Sequence, residues 1–298
     1  MGSPLSDSIQ FALNQLIRGY SVETTPGAST KIPDYRLILP AGTTVYVTLL
    51  PGSTIDDTIS VCIRLANEGF NPVPHYAARQ ISNRQKIASS LQRFCDEAGG
   101  TQVLVLAGSS RKPVGDYENS MQLLETGLFD QMGISKIGVA GHPEGSPDIS
   151  TQGLEDALKW KNQFAEQTDA EMYLVTQFCF QAKAVVEWER QLAELGNKLP
   201  VHIGIPGVAT IGTLLKHAAA CGIGPSMNFL KKQARSAKKL LQNSTPEQLL
   251  HDLAQHRSWN SDTTIEKVHV YPLGGLRKSA EWLEHFQSEA ETRSKSVA

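Results

Sequence analysis

The chain is 298 residues long, with 40% apolar content and a formal net charge of -2, so it can bury a large core. A nearly balanced charge gives no electrostatic case for nucleic acid or an anionic membrane surface as partner. No apolar run approaches the roughly 20 residues of a membrane span.

The amino terminus, Met1-Gly-Ser-Pro-Leu-Ser-Asp7, lacks the basic and apolar regions of a signal peptide. Cys62, Cys95, Cys179 and Cys221 are widely spaced and contain no Cys-x-x-Cys pair, which reads as reduced thiols in a cytoplasmic protein. The histidines show no pair at metal-ligand spacing on a site-facing helix, so no metal is expected.

An amphipathic pattern at 7–19, with Ile9, Leu13, Leu16 and Ile17 on one face, predicts a helix before the first strand. Strand-like runs follow at 20–25, 44–50, 71–77, 102–108, 136–141, 171–180, 201–207 and 266–273. Helical patterns separate them at 54–69, 81–98, 118–132, 152–168, 183–195 and 209–222, with two extra helices at 226–242 and 246–257 and a last one at 276–290. Capping signals stand at Ser53 or Thr54, at Ser82 and at Thr245-Pro246-Glu247-Gln248. Each strand is more apolar than alternating, as in a parallel sheet covered on both faces. Eight strands alternating with helices predict a (β/α)8 TIM barrel, a single domain over 1–298 with a polar tail at 288–298. The doubly wound alternative lacks its Gly-x-Gly-x-x-Gly turn, because the first strand runs into Glu23-Thr-Thr-Pro-Gly27.

In a barrel the carboxyl ends of the strands face the ligand. Those ends deliver Glu23, His75, Gly108-Ser109-Ser110, His142 with Glu144, Gln177, Pro206-Gly207 and Tyr271 with Gly274-Gly275. Period two puts Ser21, Glu23 and Thr25 on one face, and a carboxylate within a short strand is functional or paired, since burying it alone is costly. His75 reads either as a site residue or as a core histidine, and His142 and Glu144 either as site or as turn residues. Gln177 sits in an apolar strand where its amide needs partners. No Gly-x-Ser-x-Gly elbow suggests an acyl hydrolase, and no lysine within a strand suggests a Schiff base. Glycine-rich strand ends let a large flat ligand approach the backbone.

Several of these segments together resemble the methylenetetrahydrofolate reductase family. Val139-Ala-Gly-His-Pro-Glu-Gly-Ser-Pro-Asp148, the Leu158-Lys-Trp-Lys161 helix and Val175-Thr-Gln-Phe-Cys-Phe180 are similar to its Ala-x-Tyr-Pro-Glu-x-His-Pro, lysine helix and Thr-Gln-Phe-Phe-Phe-Asp segments. Val22-Glu-Thr-Thr-Pro26, Pro74-His75 and Ile205-Pro-Gly-Val208 fit its remaining short motifs in the same order. The resemblance implies a TIM barrel carrying FAD that interconverts 5,10-methylenetetrahydrofolate and 5-methyltetrahydrofolate by hydride transfer. It implies Glu23 as the acid near folate N10 or N5 and Gln177 as a pterin contact. It also implies contacts to FAD from His75, His142, Glu144, Lys161 and the strand-four end Ala107-Gly108.

Departures from the family pattern fall at defined places. Leu106-Ala-Gly-Ser109 stands where relatives have Leu-Arg-Gly-Asp, so Ala107 replaces a cofactor-binding arginine and Ser109 an acidic pterin contact. Leu214 occupies the place of an aromatic platform for nicotinamide and folate. His142 and Ser146 replace tyrosine and histidine. Loss of a negative charge beside the flavin raises its potential. That favours oxidation of the methyl compound, with NADH used weakly or not at all. Two alternatives stand beside this reading: a flavin-free pterin-binding methyltransferase and a non-catalytic folate-binding subunit. A homo-oligomer is compatible with all three.

Overall fold

The computed structural model describes residues 4–221, 224–234 and 236–295. The chain order is α1 (Pro4–Ile17), β1 (Ser21–Thr24), α2 (Pro26–Ser29), β2 (Thr44–Val47), α3 (Ile55–Asn67), β3 (Asn71–Ala77), α4 (Arg84–Ala98) and β4 (Gln102–Leu106). It continues through α5 (Ser120–Leu124), α6 (Leu128–Gln131), β5 (Lys136–Gly141), α7 (Thr151–Ala165), β6 (Glu171–Phe178), α8 (Ala182–Glu194) and β7 (Val201–Pro206). The last part is β8 (Ala209–Thr210), α9 (Ile211–Ala220), α10 (Gly224–Gln233), α11 (Ala237–Leu240), β9 (Asn243–Ser244), α12 (Glu247–Trp259), β10 (Ile265–Tyr271) and α13 (Leu276–Lys295).

Eight strands close into a parallel barrel in the order β1-β10-β7-β6-β5-β4-β3-β2, as the alternating pattern predicts. No helix among the described residues is long and apolar enough to cross a membrane. The Cα positions cluster into two compact units. The first comprises Ser21–Ala140 and Trp160–Val175, and the second Met1–Tyr20, Gly141–Lys159 and Thr176–Ala298.

In the first unit β1, β2, β3, β4 and β5 pair in sequence, with Glu23 opposite Tyr46, Tyr46 opposite Val73, His75 opposite Leu104 and Leu104 opposite Gly138. Tyr46, Val73, Leu104, Tyr173 and Val175 form one buried cluster. Its hydroxyls are paired: Tyr46 and Tyr173 share a hydrogen bond of 2.7 Å, and Gln102 Nε2 donates to the Tyr173 oxygen at 2.8 Å. Gly138 is glycine for a steric reason, since an added Cβ would lie 2.6 Å from that same oxygen. The helices begin where side chains can cap them. Thr54 and Asp57 make a reciprocal capping box on α3, and Asn83, rather than the expected Ser82, accepts from Lys86 N at 2.9 Å to start α4.

In the second unit β7 and β10 pair from Val201–Ile265 to Pro206–Tyr271. Helix α1 packs on α12 and α13, where Gln10 Nε2 donates to Ala290 O and Gln287 Nε2 to Ile17 O, each at 3.1 Å. Glu189 of α8 is buried and accepts from His256 Nε2 (2.6 Å), Thr263 Oγ1 (2.6 Å) and Thr264 N (2.7 Å), which ties α12 and the approach to β10 onto α8.

Three local readings change. The single helix expected over 118–132 is two short ones, broken where Gly127 takes φ 67°. The helix expected over 226–242 is α10 and α11, with Ser236 capping the second. The last helix runs through Lys295, past the point where a polar tail was expected, and residues 296–298 lie outside the described residues.

Candidate functional site

Glu23 projects from a four-residue strand whose other residues are all buried, and its own side chain is 11% exposed. Thr48, just past β2, donates from Oγ1 to Glu23 Oε1 at 2.5 Å, which fixes one carboxyl oxygen. His75 Nε2 lies 3.4 Å from the same oxygen and makes no hydrogen bond among the described residues. Burial holds the imidazole in its neutral form, with a pKa lowered to about 3, so the contact is neither an ion pair nor a directed hydrogen bond. The imidazole meets the Tyr46 ring edge-on, with centroids 6.0 Å apart. Burial raises the Glu23 pKa to about 7, against the lowering effect of the Thr48 bond. A carboxyl with that value is divided between its acid and base forms at neutral pH, the condition for efficient proton transfer.

Lys161 lies on α7, beyond the β5 end, and is 6% exposed. Its Nζ donates to Ala140 O at 3.0 Å, and no carboxylate among the described residues pairs with it. Burial lowers its pKa to about 8. An ammonium so placed has two further N–H donors, and a bound anion would satisfy them. At the β4 end Ala107 and Gly108 are half-buried and Ser109 is exposed. Gly108 has φ 87°, and Arg79 N donates to Ala107 O at 2.9 Å.

In the second unit His142 and Glu144 follow β5 on either side of Pro143, and Gly145 N closes a turn onto His142 O at 3.1 Å. The Glu144 carboxylate is engaged at the start of α10: Oε2 accepts from Ser226 N at 2.8 Å, and Oε1 from Ser226 Oγ. Gln177 is half-buried, and its side-chain amide has no hydrogen-bond partner among the described residues. The strand end beneath it is braced by Gly204 N donating to Thr176 Oγ1 (2.8 Å) and Tyr271 Oη donating to Thr176 O (2.9 Å). Leu214, expected beside the substrate, is 1% exposed and packs in α9 with Phe178, Ala218 and Leu230.

Glu23, His75 and Thr48 thus come together in the first unit, Lys161 stands there as a buried cation with no carboxylate partner among the described residues, and in the second unit the Gln177 amide has no hydrogen-bond partner among them. Thr48 was not among the expected residues, although period two from Tyr46 would have pointed to it. Nothing in the sequence signals Ser226 as the partner of Glu144. Among the described residues no group of three His, Cys, Asp or Glu gathers so as to hold a metal ion.

The family model described as methylenetetrahydrofolate reductase matches residues 36–274, a span that contains His75, Lys161 and Gln177 but not Glu23. Among solved structures, the chain is similar to an uncharacterized protein from Clostridium thermocellum that binds two copies of 5-methyl-5,6,7,8-tetrahydrofolic acid. The two are 11% identical with a TM-score of 0.53, over 94% of this chain and 99% of that one. At that identity the likeness concerns the fold.

Proposed function

The chain belongs to the methylenetetrahydrofolate reductase family, and on that premise we propose that it is an FAD-dependent oxidoreductase exchanging a hydride with the one-carbon group of tetrahydrofolate, between the 5,10-methylene and 5-methyl forms. The observation that carries this reading is Glu23, a buried carboxyl at the end of β1 whose pKa is raised to about 7.

Opening or closing a methylene bridge between two nitrogens requires a proton delivered to, or taken from, one of them. Glu23 Oε1 is occupied by the Thr48 hydroxyl, which leaves Oε2 to carry that proton. Neutral His75 adds no positive charge that would pull Glu23 towards its ionised form, so the acid form survives at neutral pH. Burial around the pair excludes bulk water from the proton-transfer step. Gln177 supplies an amide able to donate to and accept from a pterin edge.

The residues fit FAD chiefly through Lys161, whose ammonium has no carboxylate partner among the described residues and suits a pyrophosphate, together with the half-buried backbone at Ala107 and Gly108 and the buried His75. Bound FAD supplies the two-electron carrier between folate and an external electron partner. Ser109, in place of an acid, favours the oxidising direction, and Leu214, which is buried in the α9 packing and leaves no aromatic platform for nicotinamide, accounts for weak NADH use. His142 remains a candidate flavin contact, while Glu144 is engaged with Ser226 instead.

A flavin-free folate-binding role is the second reading. It is favoured by Ala107, which stands where the family resemblance implies a cofactor-binding arginine, and by the likeness in fold to a Clostridium thermocellum protein that binds 5-methyl-5,6,7,8-tetrahydrofolic acid. The spectrum of the purified chain separates the two. The FAD reading expects a band near roughly 450 nm from bound flavin, strongly reduced in Lys161→Met. The same substitution should stabilise the fold at neutral pH, because a buried ammonium with a depressed pKa is penalised at every pH below about 8. A colourless wild-type protein that still binds 5-methyltetrahydrofolate would establish the second reading.

A further inference from the structure

Thr48 stands just past the end of β2 and is held there by its own backbone, whose N–H donates to Thr24 O on β1 at 2.9 Å. The next residue is tied to the end of β3, where Gln80 Nε2 donates to Leu49 O at 2.8 Å. A branched Cβ also makes threonine stiff at χ1. Its hydroxyl is thereby aimed without help from a ligand.

That hydroxyl has one hydrogen and two acceptors within reach, Glu23 Oε1 at 2.5 Å and Thr24 O at 3.2 Å. The charge on Glu23 decides between them. With its proton on Oε2, the carboxyl presents Oε1 as a neutral acceptor that competes with the Thr24 carbonyl. Once ionised it draws the hydrogen fully, since a charge-assisted bond is roughly twice as strong as a neutral one. Among the described residues no other side chain donates to Glu23, and none forms a charged pair with it. His75, against it from β3, is neutral, and Tyr46, opposite it on β2, bonds its hydroxyl to Tyr173. Desolvation alone favours the protonated carboxyl, and the Thr48 bond acts against it.

We propose that Thr48 is a positioning residue for proton transfer, its hydroxyl tightening onto Glu23 Oε1 as charge develops on the carboxyl and so letting Oε2 release its proton. This role rests on the reading of Glu23 as the acid, and adds the group that lets a desolvated acid act. The proton leaves Glu23 Oε2 for a folate nitrogen, while the hydroxyl hydrogen stays on Thr48 Oγ1 throughout.

Titration of the purified protein without folate tests this, with isotope-labelled glutamate carboxyls read by NMR. The resonance missing from Glu23→Gln identifies Glu23. Its midpoint, about 7 in the wild type, should rise in Thr48→Val by about one to two pH units, the effect of one hydrogen bond to a charged group. Thr48→Ser keeps the hydroxyl and should return the midpoint towards the wild-type value. Thr48→Ala should move it in the same direction as valine, and carries the test if valine disturbs the fold. The pH profile of flavin reduction by 5-methyltetrahydrofolate should move with the midpoint in each variant, which a loss of packing alone does not produce. A midpoint unmoved by removal of the hydroxyl overturns the proposal. So does a serine midpoint displaced as far as the valine one, or a pH profile that stays put while the midpoint moves. An unmoved midpoint in a protein whose flavin the folate reduces removes the role of Thr48 alone. Midpoints that move as expected while the folate leaves the flavin oxidised remove the proposed reaction and leave the coupling of Thr48 to Glu23.

Discussion

Glu23→Gln is expected to slow the chemical step on the order of 10²–10⁴-fold, the usual contribution of a positioned general acid. The substitution keeps shape and leaves Thr48 an oxygen to donate to, so substrate binding should change far less than turnover. The same variant should be more stable than the wild type in alkaline solution. Desolvation raises the Glu23 pKa from 4.5 to about 7 in the folded protein. The folded state therefore binds the proton more tightly than the unfolded one, and stability falls as pH rises from about 4.5 through 7. Above that window the ionised carboxylate costs about 3 kcal/mol, which glutamine does not incur. Denaturant unfolding should give nearly equal stabilities for the two proteins in mild acid and a clear advantage for Glu23→Gln in mild alkali. His75 contributes equally to both proteins and cancels in the comparison. A stability difference that does not vary with pH would mean that Glu23 is not held in a desolvated site.

Glu189→Ala should produce the largest loss of stability. Burial by itself would raise the Glu189 pKa, but hydrogen bonds from Thr263, His256 and Thr264 N outweigh it and hold the carboxylate below its usual range. Removing it leaves the Thr264 N–H, the hydroxyls of Thr263 and Thr264 and the His256 imidazole without this acceptor in a mostly buried place, while the Ile265 N–H keeps only its bond to Thr263 Oγ1. Breaking such a network costs about 3–5 kcal/mol, which lowers Tm by roughly 10 °C in a chain of this size. Because the folded pKa is depressed, the contribution is present above the ordinary carboxylate pKa and lost as pH falls through the depressed value. Thermal unfolding at neutral pH checks the prediction, and a shift of only one or two degrees would contradict it. Glu189 lies on α8 and its bonds go to residues of α12, the approach to β10 and Ile265 at its start, none of them assigned to chemistry, so residual activity per folded molecule should be retained.

The barrel was legible because each of its strands is a short apolar run bounded by glycine, proline or polar residues, a pattern that fully buried parallel strands require. Glu23 stood out for the converse reason, as a carboxylate at an inward position of such a run. His75 was visible as a strand-end histidine, but its neutral contact with Glu23 depends on two strands that enclose a third. Lys161 carried no pattern of its own in a helix rich in charge, and only the family resemblance drew attention to it. Other contacts join segments far apart in the chain, such as Glu144 with Ser226, which are 82 residues apart. No local periodicity encodes such a pairing. The β8–β9 neck is two residues on each side, too short for alternation to register. The break at Gly127 was written in the sequence, since a glycine within a helical pattern marks a stop as readily as a tolerated residue.

Anaerobic mixing of the purified protein with 5-methyltetrahydrofolate tests hydride exchange between folate and bound flavin most directly. The substrate should bleach the flavin band within the turnover time, NADH should do so more slowly, and Glu23→Gln should bind the folate without rapid bleaching. A flavin band that stays unchanged while the wild-type protein binds the folate would contradict the proposed reaction.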